Sequence, residues 1–390
     1  MFASFARARK AGRLLSAFLF VGLIAACDPA AVGPSATFDT SRPVPVALLI
    51  PRGSEETSDT LLADSLENAA RLAMADLTGV NIDLRVYSTA GDAEIAGTQA
   101  AQAINDGAKI IIGPLYAEAA NAAGLAAAPA GVNVLTFSNN PTIAGGNVFV
   151  MGSTFQNTAN RLVRFAKQRG KDDIVIVHAQ DVAGQVGRTA IQDAIITNNA
   201  TLAGVVDYPL SQQGVVDAVP LIKSAVEDGT ATSIFMTSST AAGLPLLAQL
   251  LPEAGVRSDT TQFIGLTRWD IPVQTLAMPG VQGGWFALPD PNRTAAFRAK
   301  YEAAYGAPPH PIAGLGFDGI AAIGALAAKG RGNPLSTAAL TQEAGFQGAS
   351  GIFRFRRDGT NERGLALATI RDGRVELIDQ APRSFGRAGF

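Results

Sequence analysis

Short apolar runs alternate along this chain with Ala-rich or amphipathic segments, and Lys109–Asn140 shows the pattern most plainly. Lys109–Ile112 is an apolar run that stops at Gly113-Pro114, which reads as a buried strand ended by its breakers. From about Tyr116 to Ala128 the chain is rich in Ala, the residue of best intrinsic helix propensity, and Pro129 with Gly131 marks the stop. Asn133–Phe137 is a second apolar, β-branched run, closed by Ser138-Asn139-Asn140. Strand, helix and strand in this order make a β-α-β unit whose strands run parallel through a right-handed crossover. In open parallel sheets, ligands sit outside the carboxyl ends of the strands. Gly113-Pro114-Leu115-Tyr116 and Ser138-Asn139-Asn140 are therefore expected to face one cleft.

The alternation extends on both sides of this unit. Val44–Ile50 predicts a buried strand with the exit loop Pro51-Arg52-Gly53-Ser54, then a helix over about 60–77 capped by Ser58 or Asp59. Ile82–Ser88 predicts a strand, 92–106 a helix, and Asn147–Met151 a further strand. A second series starts near Ser153 with a helix over 155–170, a strand at Asp173–His178 and a loop at Ala179–Gly187. A helix to about Asn199, a strand at Thr201–Tyr208 and a helix to about Asp228 follow. Strands at Thr232–Thr237 and Gln262–Leu266 enclose one more helix. Gln282–Ala287 predicts a crossing strand, and two amphipathic helices follow at about 294–305 and 312–328. Gly348–Ile378 alternates apolar and polar residues around Asp358-Gly359 and Asp372-Gly373, so the chain closes in antiparallel hairpins. Repeated strand–helix units argue an α/β fold with mainly parallel sheets.

The chain has 390 residues, enough for two domains. Its formal net charge is −2 and it carries no basic patch interleaved with aromatics, so nucleic acid is not an expected partner. Two His and one Cys leave little material for a transition-metal site, and neither metal nor cofactor is expected.

The first residues explain part of the high apolar content. Arg7, Arg9, Lys10 and Arg13 precede the apolar run Leu14–Ala26, the layout of a secretory signal and too short for a confident membrane span. Leu23-Ile24-Ala25-Ala26-Cys27 resembles the bacterial lipobox, in which the Cys receives diacylglycerol, and Cys27 is the only Cys of the chain. Two or more acyl chains give stable membrane anchoring where one is marginal. Residues 1–26 are thus expected to be a signal peptide and 27–43, rich in Ala, Pro, Gly, Ser and Thr, a flexible tether. Asp28 after the Cys retains some lipoproteins at the inner membrane, so both membranes stay open.

The order of elements resembles the type 1 periplasmic-binding fold, in particular the leucine/isoleucine/valine-binding branch. The resemblance covers about Val44 to Ile378. It is carried by IIGPLYAEAA, VNVLTFSNNP, NVFVMGSTFQNTANRLVRFA, the Asp181–Gly187 loop, the long segment from Pro289 to Ala327, and GASGIFRFRRDGTNERG. It implies two lobes, each a mainly parallel sheet flanked by helices, with three crossings near 151–154, 280–284 and 345–348. The expected segments are 44–152 and 284–346 for the first lobe, and 153–283 and 347–390 for the second lobe and C-terminal tail. The lipobox with GLTRWD (Gly265–Asp270) and GGWFALPDP (Gly283–Pro291) is similar to a narrower group, the penicillin-binding protein activators. These are outer-membrane lipoproteins that stimulate peptidoglycan synthases. The helical-repeat domain of those activators has no counterpart here.

In the amino-acid receptors of this family, a Ser/Thr-rich loop after the fourth strand and N–H groups at helix starts hold the ligand carboxylate. Helix N-termini suit an anion because their N–H groups are unpaired and the dipole is favourable. The matching positions are Ser138, Asn139 and Asn140, with Leu115 and Tyr116 from the preceding exit loop. The other reading of Ser138-Asn139-Asn140-Pro141 is a plain turn. Where many receptors carry an aromatic clamp, this chain has Ala183. Asp181 or Asp270 would receive a ligand ammonium, or else cap helices. Trp269 lines the cleft or packs in the core. Arg52 and Arg268 are solvated or structural, or contact an anionic ligand.

Gly314-Leu315-Gly316-Phe317-Asp318-Gly319 fits G-x-G-x-x-G, but it lies inside a helical segment and follows no strand, so it is not read as a dinucleotide site. The chain has no G-x-S-x-G, H-E-x-x-H or Walker lysine motif, and no enzyme is expected. Two functions remain. One is a periplasmic lipoprotein regulating peptidoglycan synthesis through contact with a penicillin-binding protein. The alternative is the substrate-binding lipoprotein of an ABC importer, whose partners are a permease and an amino-acid-like small molecule.

Overall fold

The computed structural model describes residues 42–228, 230–330 and 332–386. The signal peptide, Cys27, Asp28 and nearly all of the tether lie outside the described residues.

The first lobe is built on a five-stranded parallel sheet. Its strands are β1 (Val44–Ile50), β2 (Ile82–Ser88), β3 (Ile110–Ile112), β4 (Asn133–Thr136) and β5 (Val148–Val150), in the spatial order β2-β1-β3-β4-β5. Helices α1 (Thr57–Met74), α2 (Ala93–Asn105) and α3 (Ala117–Ala127) are its crossovers. Central strands of a parallel sheet are covered on both faces, which is why β1 and β3 read as continuous aliphatic runs. Leu48, Leu49 and Ile50 have no exposed surface, each burial contributing about 1.5–3 kcal/mol. α1 starts at Thr57, earlier than the sequence suggests, and neither Ser58 nor Asp59 caps it. Asp59 is instead buried and accepts a hydrogen bond from Tyr116.

The second lobe holds α4 (Phe155–Gln168), β6 (Asp173–Ala179), α5 (Val182–Thr197), β7 (Thr201–Tyr208), α6 (Gln212–Asp228), β8 (Ser233–Met236), α7 (Leu244–Glu253) and β9 (Gln262–Gly265). The segment expected to be a loop through Gly187 is helical from Val182 onward, because Asp181 caps α5 at that point.

Two expected segment boundaries move. β10 (Trp285–Pro289) pairs parallel with β9 and antiparallel with β14 (Leu365–Arg371), so it belongs to the second sheet and not to a first-lobe segment starting at 284. With β15 (Arg374–Asp379) that sheet has seven strands, ordered β15-β14-β10-β9-β8-β6-β7. The chain then returns to the first lobe with α8 (Pro291–Tyr305) and α9 (Gly314–Ala327), followed by a single helical turn, α10 (Thr337–Leu340). β11 (Phe346–Gly348), β12 (Gly351–Phe355) and β13 (Asn361–Arg363) form a small antiparallel sheet. Phe346, Phe353 and Phe355 bury in the first-lobe core beside Ile320 and Ile323, so this sheet is first-lobe structure, not second-lobe structure from 347 onward. The chain therefore passes between lobes at 151–154, around Asp290 and at Gly364.

Candidate functional site

A cavity of about 860 Å³ lies between the lobes at the carboxyl end of the first sheet. Two exit loops form its polar end. After β3 the chain turns at Gly113, whose φ of +84° and Cβ position 2.1 Å from the Leu49 carbonyl oxygen admit only glycine. Leu115 and Tyr116 follow, and Tyr116 occupies the N-cap position of α3 without a side-chain cap. The first N–H groups of α3 thus lack an intrahelical partner.

The second loop is tied to the first. Thr136 Oγ1 donates to the Pro114 carbonyl at 2.7 Å and accepts from the Ser138 N–H at 3.1 Å, and the Phe137 N–H donates to the same Pro114 carbonyl at 3.0 Å. Ser138 is buried, and its Oγ accepts from the Asn140 N–H at 3.1 Å. Asn140 Oδ1 accepts from the N–H and the hydroxyl of Thr142, so it caps the short turn that follows. Asn139 is exposed, and its side-chain amide makes no hydrogen bond among the described residues. Leu115, Tyr116, Ser138, Asn139 and Asn140 all line the cavity, as the topology of the β-α-β unit requires.

Tyr116 donates its hydroxyl to Asp59 Oδ1 at 2.6 Å. That bond to a carboxylate, aided by burial, pushes the phenol up to about 12, so Tyr116 is neutral at physiological pH. Across the cavity, Pro308-Pro309-His310-Pro311 makes a wall, fixed by the His310 N–H donating to Ser65 Oγ at 2.8 Å. Burial lowers the pKa of the His310 ring, which favours the neutral imidazole.

Four expected positions lie elsewhere. Arg52 is held by Asp64 at 2.6 Å and Glu67 at 2.9 Å on α1, away from the cavity. Asp181 spends its carboxylate on the Gly184 N–H at 2.8 Å as a helix cap. Trp269 is fully buried in the second-lobe core, wedged where a Cβ on Gly265 or Gly284 would stand 2.2 Å from its ring. Asp270 accepts from Nε of Arg268 at 2.9 Å and from Nη2 at 2.5 Å. Arg268 itself does reach the cavity, from the second lobe.

The sequence reading missed the apolar side of the cavity, made by Phe297, Ile312, Leu315 and Ile352, and the buried Arg363 at its base. The proline cluster at 308–311 was the one visible signal. Helical periodicity identifies a buried face but does not say whether a cavity or a core covers it.

No group of three or more His, Cys, Asp or Glu capable of holding a metal exists among the described residues. Within them, no helix is long and apolar enough to cross a membrane.

The family model described as periplasmic binding protein matches residues 43–374. No curated protein matches the chain. Among solved structures, one similar to it is a putative branched-chain amino acid ABC transporter from Rhodospirillum rubrum, with a TM-score of 0.73 and 17% identity, covering 86% of this chain and 100% of that one. Another is an ABC transporter substrate-binding protein from Desulfitobacterium hafniense in complex with Leu, with a TM-score of 0.61, 20% identity and coverage of 86% and 100%. A third is a solute-binding protein from Rhodopseudomonas palustris in complex with 3,4-dihydroxybenzoic acid, at 0.54, 17% and coverage of 87% and 98%.

Proposed function

Because this chain belongs to the periplasmic binding protein family, we propose that it is a non-catalytic solute receptor that delivers a small molecule to the permease of an ABC importer. The observation that carries this reading is the cavity of about 860 Å³ between two lobes, with an uncapped helix start, Ser138 and the exposed Asn139 at one end. That volume suits a small-molecule site. Solute binding would draw the lobes together about the three crossings, and the permease would read the closed form. The protein works in the periplasm, and Cys27, acylated, holds it to a membrane.

A regulator of peptidoglycan synthesis is the second reading. Exposed Val182, Leu210, Ile271 and Val273 at the strand exits of the second lobe favour it, because such side chains suit contact with a protein partner. The relatives found are substrate-binding proteins, which supports the receptor over the penicillin-binding protein activator.

The test is thermal unfolding against amino acids, organic acids and cell-wall fragments, repeated with Ser138→Ala/Asn139→Ala. Ligand at about one hundred times its Kd adds roughly 2.7 kcal/mol, a shift the double variant should lose. A ligand shift unchanged in the double variant removes these residues from the site, and silence across the panel with capture of a peptidoglycan synthase would establish the regulator. Cys27→Ser should release the protein from membranes, and a variant that still sediments with them refutes the anchor.

A further inference from the structure

The charges around the cavity bear on the class of solute, given the receptor reading above. The lining includes three guanidiniums, from Arg268, Arg298 and Arg363, and no carboxylate. Nearby carboxylates are already engaged. Asp270 takes two N–H groups of Arg268, Glu302 takes Nε of Arg298 at 2.6 Å, and Asp59 takes the Tyr116 hydroxyl. Asp318, at the base, accepts from Arg363 Nη1 at 3.1 Å and from the Ala349 N–H at 2.6 Å. Asp181 is spent on its helix cap, and exposed Glu118 on the first turn of α3 lies outside the lining.

An ammonium group placed here would lose hydration and gain no anionic partner, which is unfavourable. A carboxylate finds the reverse. The start of α3 is uncapped, Ser138 and Asn139 stand beside it, and Arg268 and Arg298 each keep N–H donors beyond those engaged. Much of the remaining wall is apolar, from Phe297, Ile312, Leu315, Ile352 and the prolines at 308 and 309.

We propose that the solute is a small monocarboxylate with an apolar body and no ammonium group. The amino-acid-like ligand expected from the family resemblance has the right anionic end but carries a cation this cavity does not receive.

Matched pairs test this directly. Isothermal titration calorimetry compares isocaproate with leucine and hydrocinnamate with phenylalanine, members of a pair sharing a carbon skeleton and differing in the α-ammonium. The deaminated member of at least one pair should bind tighter by roughly tenfold or more, the cost of an unpaired buried cation. An amino acid that binds as tightly as its deaminated partner overturns the solute class and leaves the receptor reading standing. No heat from any of the four compounds overturns the solute class as well, and a shift elsewhere in the wider thermal panel then shows whether the receptor reading survives it.

Discussion

The guanidinium of Arg363 donates twice to one backbone oxygen, the carbonyl of Met151, from Nε at 2.9 Å and from Nη2 at 2.6 Å. These residues sit 212 positions apart in sequence, on the first and third passages between the lobes. Asn361 adds bonds from Nδ2 to the carbonyls of Val150 (2.8 Å) and Gly152 (2.7 Å), and Asn157 Oδ1 accepts from the Arg363 N–H at 2.9 Å. The two passages are thereby joined by buried polar contacts, and Arg363 Nη1 carries the connection to Asp318 on α9. Burial raises the pKa of the Asp318 carboxyl, against the pull of Arg363.

Removing one member of that buried pair should be costly. Arg363→Met is expected to lower stability by about 3–5 kcal/mol, because it strands a buried carboxylate. Asp318→Leu combined with it should recover much of the loss. Urea unfolding of the two variants checks this, and a single variant within about 1 kcal/mol of wild type would show that the pair does not anchor the passage.

Gly152 lies where a Cβ would be 2.7 Å from the Ser138 carbonyl oxygen and 2.8 Å from the Asn139 nitrogen. Gly152→Ala must therefore push the cavity loop away from the first passage. Solute affinity is expected to fall by about tenfold or more, since small misplacements of positioned groups have large effects. Titration calorimetry with any solute found in the thermal screen reads this, and an unchanged Kd would mean that the loop yields without consequence.

Trp269→Ala should cost about 3–5 kcal/mol, as for a large ring deleted from a core. Solute affinity of the folded variant should stay within about twofold, well under the 1.4 kcal/mol that a tenfold change represents, because the ring packs in the second-lobe core and not against the cavity. Denaturant unfolding and calorimetry on the same sample separate the two effects.

His310 supplies a pH dependence. Its pKa in the folded protein lies below the ordinary 6.5, because burial disfavours the imidazolium. In the window between those two values the unfolded chain binds the proton and the folded chain does not, so stability rises with pH there. The contribution is complete above 6.5 and is lost as pH falls through the folded pKa. Solvent reaches the ring, so the effect is small. His310→Gln should flatten the stability profile below 6.5, and ring-proton NMR should place the His310 midpoint below that of a model peptide.

Some of this was legible from residue order. β1, β2 and β7 have the predicted limits because each is a run of strand formers bounded by residues that stop it. The cavity loops at Leu115-Tyr116 and Ser138-Asn139-Asn140 followed from one β-α-β unit, whose parallel strands put both carboxyl ends at the same edge of the sheet. Pairing across long separations was not legible. Trp285–Pro289 joins the second lobe through a register with Leu365–Thr369, which no local pattern records. Gly184 and Gly187 fell in the stretch expected to be a loop, yet each is a packing site on a helix: a Cβ on Gly184 would stand 2.1 Å from the Ala179 carbonyl oxygen, and one on Gly187 would stand 2.7 Å from Leu266. Arg52, Asp181 and Asp270 were plausible cleft residues until their partners were known. A charged side chain shows its type in the sequence, and its commitments only in the fold.

The interleaving of the two lobes governs how the chain can mature during its synthesis. The first-lobe core closes only when Phe346, Phe353 and Phe355 arrive to cover residues from β1, β3 and α9. The second-lobe sheet needs β14 to flank β10 and β15 to flank β14. The first lobe must wait for most of the second to be made before its own interior closes, and the second must then wait for the first to end before receiving β14 and β15. The usual order of one unit folding before the next begins is therefore unavailable. A chain stopped before residue 346 would expose apolar surface from both halves at once, and such fragments should be cleared by proteases instead of accumulating as half-folded lobes.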